Sequence, residues 1–68
     1  MKYGVVIEKA GANYSAYVPD LPGCIATGAT LAEVEAEIRD AIHFHVDGLR
    51  EDKIPVPEAT SILEYVEA

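Results

Sequence analysis

Thr30-Leu31-Ala32-Glu33-Val34-Glu35-Ala36-Glu37-Ile38 is the stretch on which the fold turns. Thr30 and Glu33 fit a capping box, in which each side chain bonds the other residue's backbone N–H and fixes a helix start. From there Leu31, Val34, Ile38, Ala41, Ile42, His45, Val46 and Leu49 recur at spacings of three and four. At about 100° per residue they form one apolar stripe, with Glu33, Glu37, Asp40 and Asp47 off it. The helix is expected to end near residues 50–53, because Arg50 and Lys53 suit its negative end and Pro55 cannot continue it.

Upstream of the helix the pattern is that of short strands. Residues 2–9 are rich in Val, Ile and Tyr, and Ala10-Gly11-Ala12-Asn13 reads as a turn into a second run at residues 13–18. So short a connection makes the pair an antiparallel hairpin. Pro19-Asp20-Leu21-Pro22-Gly23 is a loop, and Cys24-Ile25-Ala26-Thr27-Gly28 a third, short strand. Downstream, Ile54-Pro55-Val56-Pro57-Glu58 reads as an extended linker, and Ile62-Leu63-Glu64-Tyr65-Val66 as a last strand beside the first. The expectation is one α+β domain over residues 1–68, in the order β-β-β-α-β, with a single helix on a mixed sheet of order 3-2-1-4. Alternation turns Tyr3, Val5, Ile7, Tyr14, Ala16 and Val18 toward the helix. Val6, Ser15 and Tyr17 then point outward, into a surface open to water, a second copy or another partner.

Composition narrows the function. The 68 residues are 50% hydrophobic and 25% charged. That excludes a two-domain enzyme and leaves a core that buries only about 60% of the unfolded surface. Five bases against twelve acids give a net charge of −7, a poor basis for holding phosphates. Residues 1–29 are net neutral, residues 30–53 carry seven acids against three bases, and residues 54–68 add Glu58, Glu64 and Glu67. Such a field keeps a protein soluble, and it also steers basic partners. The single cysteine, Cys24, forms no internal disulfide, and the amino-terminal residues have neither a signal peptide's pattern nor a membrane span's. A cytoplasmic location is expected.

Catalytic chemistry has little foothold. His43 and His45 point about 200° apart on a helix and cannot share a metal. His45 falls in the apolar stripe, as a buried imidazole bonded to backbone, and His43 sits at i,i+4 from Asp47 as a solvated pair. Cys24 has no nearby base to lower its thiol pKa. The glycines match no phosphate-cradling motif. No metal, cofactor or enzymatic activity is expected. The β-β-β-α-β order is also that of a ribonuclease H core, so an alternative is a degenerate nuclease using Glu8, Glu33 or Glu37, and Glu64 as metal ligands. Such a site needs acids converging around two ions about 4 Å apart.

The string Tyr14-Ser15-Ala16-Tyr17-Val18-Pro19-Asp20-Leu21-Pro22-Gly23-Cys24, followed by Thr27-Gly28-Ala29-Thr30, Glu33 and Ile38, resembles the HicB antitoxin family. Ala41-Ile42-His43-Phe44-His45-Val46 and Ile54-Pro55-Val56-Pro57-Glu58 extend the resemblance over nearly the whole chain. It implies a degraded ribonuclease H-like core and a type II toxin–antitoxin role. In that role the chain binds a small basic RNA-cleaving HicA-type toxin, covers its catalytic histidine and competes with phosphate for its basic surface. Candidate contacts are Asp20, Glu33, Glu37, Asp40, Glu58 and Glu64. Longer family members add a DNA-binding module, which this chain does not show, so no direct nucleic-acid binding is expected. A homodimer or homotetramer is expected too, because an open sheet face on a small core gains stability when covered. An orphan self-associating domain is the further alternative.

Overall fold

Gly11 opens the fold with a positive φ of +61°. That lets Gly11 and Ala12 turn the chain in two residues, the tight connection that matches strand twist. In the computed structural model, which describes residues 1–68, the elements are β1 (Val6–Ala10), β2 (Asn13–Tyr17), β3 (Ile25–Gly28) and α1 (Leu31–Glu51). The sheet is antiparallel throughout, in the order β1-β2-β3. Ile7, Ala16 and Ala26 are cross-strand neighbours on the face that packs against the core, and Tyr14 pairs with Gly28.

Small residues in that row let the helix come close. A Cβ on Gly28 would sit 2.6 Å from the Val34 amide nitrogen and 3.0 Å from Glu33. The first turn of α1 therefore rests on β3, and the helix lies over β3 and β2 rather than β1. Val34, Ile38 and Val46 bury the stripe against Ala16 and Val18. The loop after β2 adds its own plug. Leu21 and Cys24 are buried, and the loop closes on itself through Val18 N–H to Cys24 O (3.2 Å) and Cys24 N–H to Leu21 O (3.0 Å).

Both helix ends are satisfied. Thr30 Oγ1 accepts from the Glu33 amide at 3.1 Å, while the Glu33 carboxylate accepts from Ala29 N–H at 2.9 Å, one residue earlier than the box predicts. At the far end Ile54 N–H reaches Leu49 O and Lys53 N–H reaches Arg50 O, with Lys53 in the left-handed region at φ +56°. That is the Schellman pattern, which satisfies the last carbonyls. No helix is long and apolar enough to cross a membrane.

The expected fourth strand is absent, and with it the mixed sheet of order 3-2-1-4 and the ribonuclease H-like core. Residues 62–66 run beside the chain around β1 without joining the ladder, and Leu63 packs on Gly4. The physical reason lies in β1. Its pairing starts at Val6, opposite Tyr17, because β2 ends where Val18 turns into the loop. Residues 2–5 thus overrun the sheet, and the tail beside them makes side-chain contacts instead. Tyr3 Oη donates to Pro57 O at 2.6 Å. Asp20 accepts from Ser61 N–H (3.1 Å), Ser61 Oγ (2.9 Å) and Thr60 Oγ1 (3.2 Å).

Gly28→Ala should lower stability by about 1–3 kcal/mol, because the new methyl meets backbone at 2.6 Å. Gly48→Ala, with open space around it, should raise stability by roughly 0.5–1 kcal/mol, because alanine has less unfolded-state backbone entropy to lose on entering the helix. Opposite shifts in urea midpoint are the readout. For the tail, the Ser61 amide, aided by the Ser61 and Thr60 hydroxyls and opposed by desolvation, holds the Asp20 carboxyl below its ordinary value of 3.8. A depressed native pKa means the attachment is complete above about pH 3.8 and is lost as pH falls through the lowered value. The Ser61 amide proton shift should report that transition, and Asp20→Asn should abolish it while helix amide shifts stay unchanged.

Candidate protein-binding site

The helix surface divides by charge. Projected at about 100° per residue, Glu33, Glu37, Asp40, Asp47 and Glu51 fall within about 60° of Phe44 on the side away from the sheet. All five are exposed, and Phe44 itself is 84% exposed. An aromatic ring thus stands in the middle of an acidic ridge. Arg39, His43 and Arg50 occupy the neighbouring flank. With Tyr3, Ile42 and Val46 they line a cleft of about 350 Å³, which Asp47 also borders.

The six acids picked from sequence are not one cluster. Glu33, Glu37 and Asp40 share the ridge, although Glu33 also caps the helix. Glu58 and Glu64 stand exposed on the tail. Asp20 faces the chain itself, engaged with Thr60 and Ser61. Phe44, Asp47 and Glu51 were not among the candidates. Phe44 does leave a trace in sequence, as a large apolar residue outside the Leu31–Leu49 stripe.

The other chemically capable groups stand apart. His45 is half-buried, not buried, and its ring makes none of the hydrogen bonds expected with backbone; His43 is exposed. Burial pushes the Cys24 thiol pKa above its ordinary value, the opposite of what a nucleophile needs. No three His, Cys, Asp or Glu side chains converge as metal ligands, so Glu8, Glu33, Glu37 and Glu64 do not form the nuclease site.

The chain is similar to known proteins in sequence and in fold. The model for the HicB-like antitoxin of bacterial toxin–antitoxin systems matches residues 3–68. A 14.9 kDa protein of Haemophilus phage HP1 is 39% identical over 66 residues, 97% of this chain and 50% of its own. A UPF0150 protein of Thermoplasma acidophilum is 38% identical over 65 residues, covering 91% of this chain and 94% of its own. Among solved structures, a chain of the HicA3 and HicB3 toxin–antitoxin complex superposes with a TM-score of 0.71 at 29% identity. That match covers 81% of this chain and 64% of the other. The chain spans about half the length of its phage relative and nearly all of the archaeal one. With a family model that takes in all but its first two residues, the chain belongs to the HicB-like antitoxin family.

Proposed function

We propose that this chain is a toxin-binding antitoxin domain that neutralises a small basic RNA-cleaving toxin of the HicA type by covering its RNA-binding surface. The observation that carries the reading is the acidic ridge of α1 with Phe44 exposed at its centre. An RNA-cleaving toxin needs a basic surface to hold phosphates. An acidic ridge competes for the same surface, and complementary charge raises association rates by about 10–10³-fold. Charge alone gives speed and orientation more than affinity. A buried aromatic anchor surrounded by polar contacts is the usual source of the rest, and Phe44 is placed to supply it.

In this mechanism the chain performs no chemistry and needs no cofactor. Occlusion suffices: while the ridge lies on the toxin's basic surface, RNA cannot reach the toxin's catalytic groups. The acids named from sequence divide accordingly. Glu37 and Asp40 make the direct contact, Glu33 holds the helix start, and Glu58 and Glu64 contribute longer-range attraction. Asp20 positions the tail. The two proteins would meet in the cytoplasm, where messenger RNA is translated, and the domain's acidic surface suits protein rather than operator DNA.

The test is co-expression with a basic HicA-type toxin encoded beside it, read by growth rescue and by titration of the purified proteins. Phe44→Ala should weaken binding roughly 30-fold, about 2 kcal/mol. The pair Glu37→Lys and Asp40→Lys should abolish rescue and slow association. Wild-type affinity should fall as salt rises. Full rescue by both variants would overturn the reading.

A further inference from the structure

The chain has two arginines, Arg39 and Arg50, and both line one cleft. They lie three helical turns apart on α1, about 16 Å along its axis. At about 100° per residue they share one strip of the helix, with His43 and Val46 between them. Both arginines are exposed, and neither guanidinium makes a hydrogen bond within the chain. Asp47 is the one acid lining the cleft, and it stands on the side nearer the ridge. Positive charge thus gathers here in a chain of net charge −7.

The floor of the cleft is apolar for a reason set by the fold. The helix packs on β2 and β3 and leaves β1 uncovered. Val5 and Ile7 therefore turn toward the core yet remain half-buried. A second groove, of about 240 Å³, runs over Val5, Ile7 and Ile38 and adjoins the cleft at Arg39 and Ile42. Val46 forms the cleft floor. Tyr3 forms a wall, and its hydroxyl bond to Pro57 O holds the ring in place.

We propose that the cleft and its adjoining groove bind a small alkyl carboxylate. Its head sits among Arg39, His43 and Arg50, and its chain lies along Ile42, Ile38 and Ile7. Charge selects the head. A carboxylate accepts from the guanidinium fork, and the imidazole adds a further N–H donor. A head placed over His43 and Val46 is about 8 Å along the axis from each arginine Cα, within reach of both side chains. The ridge acids oppose an anion, but screening over about 8 Å leaves the groups in contact to decide. Shape selects the chain. The cleft's 350 Å³ is more than twice the roughly 150 Å³ that encloses a benzene ring. The adjoining groove prolongs its apolar surface along the helix rather than widening it.

The site does not rest on the toxin-binding reading, and its test needs no toxin. Octanoate is titrated into the 68-residue chain at neutral pH, with amide and methyl shifts as the readout. A single saturable site is expected, with a dissociation constant below about 1 mM and shifts confined to residues 3–7 and 38–50. Arg39→Met combined with Arg50→Met should raise that constant at least about 10-fold. Both side chains are exposed, so far-UV circular dichroism should be unchanged. 1-Octanol, with the chain but no charge, should bind at least about 10-fold more weakly. Acetate, with the charge but no chain, should not saturate. Glu37→Gln, on the ridge, should leave octanoate affinity unchanged. Octanoate that fails to saturate, that binds equally well without the two arginines, or that shifts Tyr17 and Ile25 on the outer sheet face instead would overturn the proposal.

Discussion

The close approach of the first turn of α1 to Gly28 is the constraint on which the rest of the structure depends. A side chain at that position would meet backbone atoms of Glu33 and Val34, not a movable side-chain tip. With Gly28 bare and Ala16 and Ala26 in the facing rows, Val34 and Ile38 descend onto β2 and β3 and are buried there. The capping contacts of Thr30 and Glu33 sit in the same turn, so the helix start and its docking are fixed together. Only seven of 68 residues are buried, and two of them, Val34 and Ile38, belong to that turn or the next. Few other contacts can compensate if it is displaced.

One helix on one face of a three-stranded sheet makes the molecule two-sided. The outer helix surface has no core to face, so its residues are chosen by partners and solvent rather than by packing. The outer sheet surface is likewise free, and beside Glu8 it holds the apolar row Val6, Tyr17 and Ile25. Most of the acids thereby lie away from the sheet, in a thin molecule whose smallest extent is 16 Å.

Local features were legible in the sequence, and long-range ones were not. The hairpin follows from Gly11, the helix from its apolar spacing and the Thr30 cap, and the inward set Ile7, Ala16 and Val18 from alternation; each is decided within a few residues. The last strand failed because residues 62–66 have strand-like side chains but pass β1 without pairing with it. Strand propensity describes fit to a neighbour rather than a property of the segment, and β1 offers no paired edge at residues 2–5. Asp20 read as a free surface acid because its partners lie 40 and 41 residues away. His45 read as buried because a stripe position carries no information about how far the sheet extends beneath it. Phe44 was not among the sequence candidates, although its place outside the helical stripe sets it apart.

Partner binding and folding are coupled in a domain of this size. A ligand that binds only the folded form stabilises it by about 2.7 kcal/mol when present at 100 times its dissociation constant. That is a large share of the few kcal/mol a core this small supplies. Substitutions at Gly28, Val34 or Leu21 would therefore weaken apparent binding by depleting the folded population, with no change at the contact surface. Substitutions at Phe44, Glu37 or Asp40 act the other way. These side chains touch little of the core, so loss of binding with unchanged urea midpoint identifies the ridge itself as the site of contact.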